Sequence, residues 1–196
     1  MTLPKYDKSK RRKSTPQLPK DAYVLVIKNA KEEPNRSGKG THLTIAFDIA
    51  EGLYKDFYAK QFQANTNEDK KWPRDAIYYV TVPDDDSSPF LWDNWNTFFA
   101  DLEDSNNGFV FGTDPAELKG KLIGGKFYIE QTDFNGTIYD HTRLKWTCVA
   151  SDVRNGTAGK LPNDKLLNST LATNAPIPGA GPDFLIPDNI DDEVPF

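Results

Sequence analysis

The chain has 196 residues, 37% of them hydrophobic, and a net charge of −5 at pH 7. That length suits one domain with tails or two very small domains, and the acidic balance argues against a surface that binds polyanions everywhere. No apolar run approaches the length of a membrane span, the N-terminus is basic rather than apolar, and the single cysteine, Cys148, excludes an internal disulfide, which fits a cytoplasmic location.

Residues 1–19 are rich in Lys and Pro and predict a basic disordered arm; seven Lys or Arg fall in residues 1–20 against Asp7 alone. Ala22 to Ala30 predicts a first strand. Pro34 to Gly40 is a turn-rich loop, and it lacks the leading Gly and the Lys-Thr adjacency of a phosphate loop. Leu43, Ile45, Phe47 and Ile49 alternate with polar or small residues, the period of a half-buried strand. Gly52 predicts a turn, Lys55 to Phe62 a third strand, Gln63 to Asp75 a polar loop, and Ile77 to Val82 a further short strand. Leu91, Trp92, Trp95, Phe98, Phe99 and Leu102 lie on one helical stripe, so both tryptophans are expected in the core. Ser88 suits the N-cap of that helix and Pro89 its first position. Asp114 to Glu117 starts a second, shorter helix.

Gly125 to Asp133 and Thr137 to Ala150 predict a hairpin closed by Asn135-Gly136. A two-residue turn sets the register: Lys126 opposite Lys145, Tyr128 opposite Arg143, Glu130 opposite His141 and Thr132 opposite Tyr139 on one face. Phe127 opposite Leu144, Gly125 opposite Trp146 and Ile129 opposite Thr142 form the inward face, which Cys148 continues. Beyond residue 153 periodicity is lost, and residues 154–190 predict a flexible linker. Five principal strands with a helix before the fourth predict a mainly β domain over residues 20–153. An OB-fold, a five-stranded Greek-key barrel with an inserted helix, fits that order, and a small α+β sheet domain is the alternative.

Opposed lysines destabilise a sheet, and a face that keeps them beside aromatics is explained if a polyanion crosses it. Bases stack on aromatic rings while cations follow the backbone. The residues expected to contact nucleic acid are Lys126, Tyr128, Tyr139, Arg143 and Lys145 on the hairpin, Tyr58, Lys60 and Phe62 on the third strand, and Lys71, Trp72 and Arg74 in the loop after it. Enzyme chemistry lacks an inventory. Two histidines, His42 and His141, and one cysteine cannot supply the common zinc sites. Glu130 accounts for His141 as a charge partner, and Asp84-Asp85-Asp86 reads as a solvated turn. No metal, cofactor or catalytic group is expected.

The last six residues are Asp191, Asp192, Glu193, Val194, Pro195 and Phe196. A carboxylate run ending in an apolar plug with its own α-carboxylate suits a recognition tip: the ring enters a pocket, the carboxylate meets an Arg, and the acids settle on a basic rim. This tip resembles the C-terminal peptide of bacterial and phage single-stranded DNA-binding proteins, with Glu193 and Val194 replacing the usual Asp and Ile. The segment from Lys20 to Tyr58, with Phe47-Asp48-Ile49-Ala50-Glu51-Gly52, is similar to the start of phage OB-fold replication proteins. The resemblance implies a protein of the phage or mobile-element type that coats unpaired DNA without sequence preference and recruits replication, recombination and repair enzymes through the tip. The core pattern of housekeeping bacterial single-strand binders is absent, so no particular homo-oligomer is implied. A recombination or replication adaptor that uses the tip without binding DNA, and an RNA-binding OB module, are the competing readings.

Overall fold

A computed structural model describes residues 16–167. Its frame is one five-stranded antiparallel sheet in the order β3-β2-β1-β4-β5. The strands are β1 (Ala22–Pro34), β2 (Thr41–Ile49), β3 (Ile77–Thr81), β4 (Leu122–Phe134) and β5 (Thr137–Cys148). Three α-helices, α1 (Phe57–Ala64), α2 (Pro89–Ser105) and α3 (Ala150–Asn155), pack on this sheet. The sheet is open: among the described residues no ladder joins β3 to β5. No helix in that range is long and apolar enough to cross a membrane.

The central strand β1 explains its own composition. It pairs with β2 on one side and β4 on the other, and both of its faces are covered. Adjacent residues Val24 and Leu25 are therefore both buried, as are Ile27 and Ala30. A near-continuous apolar run is what such a doubly covered strand requires. On β2 Leu43, Ile45, Phe47 and Ile49 are all buried and the expected alternation holds as far as Phe47, after which Asp48 is buried as well.

Lys55 to Phe62 does not form the expected strand. Residues from Phe57 onward are helical, because Asp48 on β2 supplies the N-terminal cap from ten residues away in sequence. Its carboxylate accepts the amides of Ile49 at 2.8 Å, Tyr58 at 2.9 Å and Ala59 at 3.0 Å. Tyr58 and Phe62 are spaced by four as well as by an even number, so the same residues satisfy a helical face. The decisive cap is not local, and period alone misleads.

Helix α2 begins at Pro89 after Ser88, as the sequence predicts, although the Ser88 side chain makes no capping bond. Phe98, Phe99 and Leu102 are buried, and Trp95 packs on Phe99 at 4.7 Å. Trp92 departs from expectation: it lies on the outer margin of the stripe and is 39% exposed. Pro115–Leu118 is a single 3₁₀ turn capped by the Asp114 side chain, which accepts the Ala116 amide at 2.9 Å.

In the hairpin, Asn135 (φ 54°) and Gly136 (φ 78°) both take left-handed conformations, the requirement of a two-residue turn whose twist matches the strands. The expected register holds from Phe134–Thr137 down to Phe127–Leu144. It then slips at a bulge, so that Lys126 faces Trp146 and Gly125 faces Thr147. Lys145 is the extra residue and no longer opposes Lys126. The slip has a steric logic. A Cβ on Gly125 would stand 2.6 Å from Leu25 and 2.7 Å from Leu144, so that side of the sheet is already full. The bulge carries the Trp146 ring to the outer face, where it is 47% exposed.

Two segments outside the sheet complete the packing. Leu18 is buried, and its carbonyl accepts the Thr142 hydroxyl. The Pro16 carbonyl accepts from Gln61 on α1 at 2.9 Å. Beyond α3 the chain returns along β4, where the Lys165 amide donates to the Ile129 carbonyl and the Gln131 amide to the Lys165 carbonyl, each at 2.9 Å. Asp164 accepts from the Ile129 amide and pairs with Lys20.

Candidate nucleic-acid interface

The expected contact residues fall into two aromatic–cation clusters, with a buried exception. The exception is Tyr58. Helix α1 directs it inward, where it is 2% exposed and meets Phe47 and Phe57 edge to face at 5.8 and 5.2 Å. Burial raises the pKa of its phenol well above the ordinary value. No face of this ring is open to a base, so Tyr58 is a core residue. Lys60 is exposed on α1, but its ammonium folds back to the Lys55 carbonyl at 2.7 Å.

The first cluster joins α1 to the loop after it. Phe62 and Trp72 lie 5.6 Å apart with rings tilted by 41°, and the Lys70 ammonium stands 4.8 Å from the Phe62 centroid. Trp72 is held rather than swinging free: its indole N–H donates to the Phe47 carbonyl at 3.1 Å. The indole is half-buried and packs against the edge of the core, with its polar edge satisfied. Lys71 and Arg74 flank it and are exposed.

The second cluster lies on the outer face of the hairpin. The Lys126 ammonium is 5.7 Å from the Trp146 centroid, and the Lys145 ammonium is 5.8 Å from that of Tyr128. Tyr139 continues toward the hairpin tip and is 48% exposed. The bulge is what assembles the pair, since it turns Trp146 outward beside Lys126. Lys126 is also restrained, donating to the Ala158 carbonyl at 3.1 Å. Its charge acts on buried Cys148, whose thiol is nevertheless pushed up to about 11 because burial outweighs the nearby ammonium.

Between the clusters runs a row of alternating charges. One terminal nitrogen of Arg143 forms an ion pair with Glu130 at 2.6 Å without hydrogen-bond geometry, and Glu130, 8% exposed, also pairs with Lys165 at 3.1 Å. On its other side Arg143 Nε stands 3.5 Å from Asp75, a looser, purely electrostatic approach. Arg143 is therefore an internal ion-pair member first, and less available to a phosphate than expected. His141 also differs: across the ladder from Glu130, it pairs instead with Asp75 at 3.3 Å and with the Thr132 hydroxyl at 3.1 Å. Compared with known proteins, the chain matches no family model and no curated protein sequence. Its own geometry carries the argument.

Trp146, Lys70, Asp75 and Lys165 enter this surface without having been singled out as contact residues. Trp146 had an aromatic signal, but its assignment to the inward face hid it, because a bulge leaves no local mark in sequence. Lys70 sat within the Lys-Lys-Trp run and could have been included. Asp75 carries the opposite sign to the one a search for cations selects, and Lys165 lies in the stretch that the sequence assigns to the linker. His42 has a structural explanation, with Nδ1 bonded to Asn35 at 2.7 Å and the ring edge-on to Tyr79. Among the described residues no group of three or more His, Cys, Asp or Glu is placed to hold a metal ion. The tip Asp191 to Phe196, the linker beyond residue 167 and the arm through residue 15 lie outside the described residues.

Proposed function

We propose that this chain is a single-stranded DNA-binding protein with an OB-type core, which holds unpaired bases on the two clusters and recruits replication, recombination or repair enzymes through Asp191 to Phe196. The observation that carries the reading is the repeated pairing of a partly open ring with an ammonium group, Phe62–Lys70, Trp146–Lys126 and Tyr128–Lys145. Unpaired nucleotides offer a π face and a negative backbone at each step, and each stacked base contributes ~1–3 kcal/mol. The core reading is supported by strand order. Opening a five-stranded Greek-key barrel between its third and fifth strands leaves β1 in the centre, flanked by β2 and β4, as here. Contacts from Asp75 to β5 bring the two edges of that opening together.

The terminal tip supplies the second half of the function. Burial of the Phe196 ring would contribute ~1.5–3 kcal/mol, and a charged hydrogen bond to its carboxylate a similar ~1.5–3 kcal/mol. After the cost of association this supports roughly micromolar binding, and many tips along one coated strand raise the effective concentration.

Titration with poly-dT, followed by intrinsic fluorescence, tests the reading. Binding should weaken with salt at a log–log slope of about −0.7 per phosphate neutralised. Replacing Trp146 and Lys145 together with Ala should weaken binding without shifting the melting transition by more than a few degrees. A folded protein that ignores oligonucleotides at low salt contradicts the proposal, and tighter binding to RNA of equal length would redirect it to an RNA module.

A further inference from the structure

We propose that Asp75 is the positioning residue that holds the two aromatic–cation clusters together as one strand-binding surface. This rests on the single-strand-binding reading above. Asp75 belongs to the 3₁₀ turn Arg74–Ala76, directly after Trp72, Pro73 and Arg74 of the first cluster and directly before β3. Its carboxylate crosses the open side of the sheet. One oxygen stands 3.3 Å from His141 Nδ1 and the other 3.5 Å from Arg143 Nε, both on β5. Arg143 pairs across the ladder with Tyr128 of the second cluster. No ladder joins β3 to β5 among the described residues, so this carboxylate provides a side-chain link where backbone bonds are absent.

The rest of the row keeps that link in place. Glu130 grips the far end of Arg143 at 2.6 Å, and Lys165 neutralises Glu130 from the opposite edge of β4. The guanidinium thus lies between two carboxylates, Glu130 on one side and Asp75 on the other. Trp72, three residues ahead of Asp75, is fixed in turn by its bond to the Phe47 carbonyl. Both ends of the connection are anchored, and Asp75 is the joint.

The sign of its charge makes the role testable. A carboxylate amid cations that bind a polyanion opposes binding by simple electrostatics. Removing it should strengthen DNA affinity if charge is all it contributes. If it positions the clusters, removing it should weaken binding, and only for a strand long enough to use both. Short oligonucleotides that occupy one cluster should not register the loss, because the advantage of two linked sites is one of effective concentration.

The test titrates the full chain and its Asp75→Asn and Asp75→Glu variants with oligo-dT of about 4 and about 16 nucleotides, lengths that bracket single-domain site sizes. For Asp75→Asn we expect affinity for the longer strand to fall about tenfold, with the shorter strand little changed. Asp75→Glu, which keeps the charge, should restore most of the difference. Tighter binding of the longer strand by Asp75→Asn overturns the proposal, as does equal weakening of both lengths. Should Asp75→Asn lose its cooperative melting transition, Arg143→Gln breaks the same contact from β5, and the same length-selective loss is expected; a length-independent loss counts against the proposal. If the unaltered chain binds neither length, single-strand binding itself fails, and this role falls with it.

Discussion

Asp48 and Tyr58 are joined across a strand–turn–helix connection: the fully buried Asp48 carboxylate accepts the Tyr58 amide at 2.9 Å. The same side chain accepts two further backbone amides, those of Ile49 and Ala59. Three donors that would otherwise be buried without partners converge on one carboxylate, and the start of α1 is fixed to β2. Because α1 carries Phe62 as well as Tyr58, this link sets the distance between the core and the first cluster.

Asp48→Ala should therefore cost about 3 kcal/mol of folding stability, through a lost cap and amides left unsatisfied in the interior. Asp48→Asn, which retains one acceptor oxygen, should cost less. Urea unfolding followed by far-UV circular dichroism measures both. A loss below 1 kcal/mol in the alanine variant would show that α1 is held by its apolar contacts alone.

Gly124 lies where β4 passes under α3. A Cβ there would meet Cys148 Sγ at 2.7 Å, the Cys148 carbonyl oxygen at 2.8 Å and Val153 at 2.9 Å. One of these atoms belongs to the backbone and cannot step aside by changing rotamer. Gly124→Ala should destabilise by about 1–3 kcal/mol through overpacking. Combining it with Cys148→Ala should recover only part of the loss, since the carbonyl remains. Full recovery would place the strain on the sulfur alone.

Cys148 is buried and its thiol is raised from 9.0 to about 11, chiefly by loss of solvent. At neutral pH it should react with iodoacetamide only as fast as the chain opens. The linkage has a definite sign. A group whose folded pKa exceeds its unfolded value stabilises the fold while it stays protonated, and that contribution fades as pH rises from about 9 through about 11. Stability should fall across this window, and the fall should be shallower in Cys148→Ala, whose remaining slope reports groups such as Tyr58 and Tyr78, also raised by burial. Identical slopes in the two proteins would remove the thiol from the account.

The parts of the fold governed by neighbours in sequence were legible there. The alternation in β2, the stripe of α2 and the Asn135-Gly136 turn each announce themselves within a dozen residues, and each is present. Register could be read outward from that turn as far as Phe127–Leu144. It failed where a distant packing demand, the filled space beside Gly125, forced a bulge. Helix α1 failed for a related reason, since its cap arrives from another strand. The candidate site shows the same division. The rings and lysines could be seen, whereas the acids that hold them in order, Asp75 and Glu130, act over 66 and 13 residues of intervening sequence separation, on His141 and Arg143 respectively. An ion pair of that span has no periodic signature.

The route of the chain along β4 has a mechanical consequence. Lys165 is tied to Ile129 and Gln131 beside the second cluster, so whatever follows Leu167 is tethered next to the place where nucleotides would lie, and not at the far pole of the domain. Phe196 comes 29 residues after Leu167, a contour length of at most ~100 Å. An enzyme caught on the terminal phenylalanine would be kept within that radius of the strand it has come to process, and its working distance would be written in the length of the spacer.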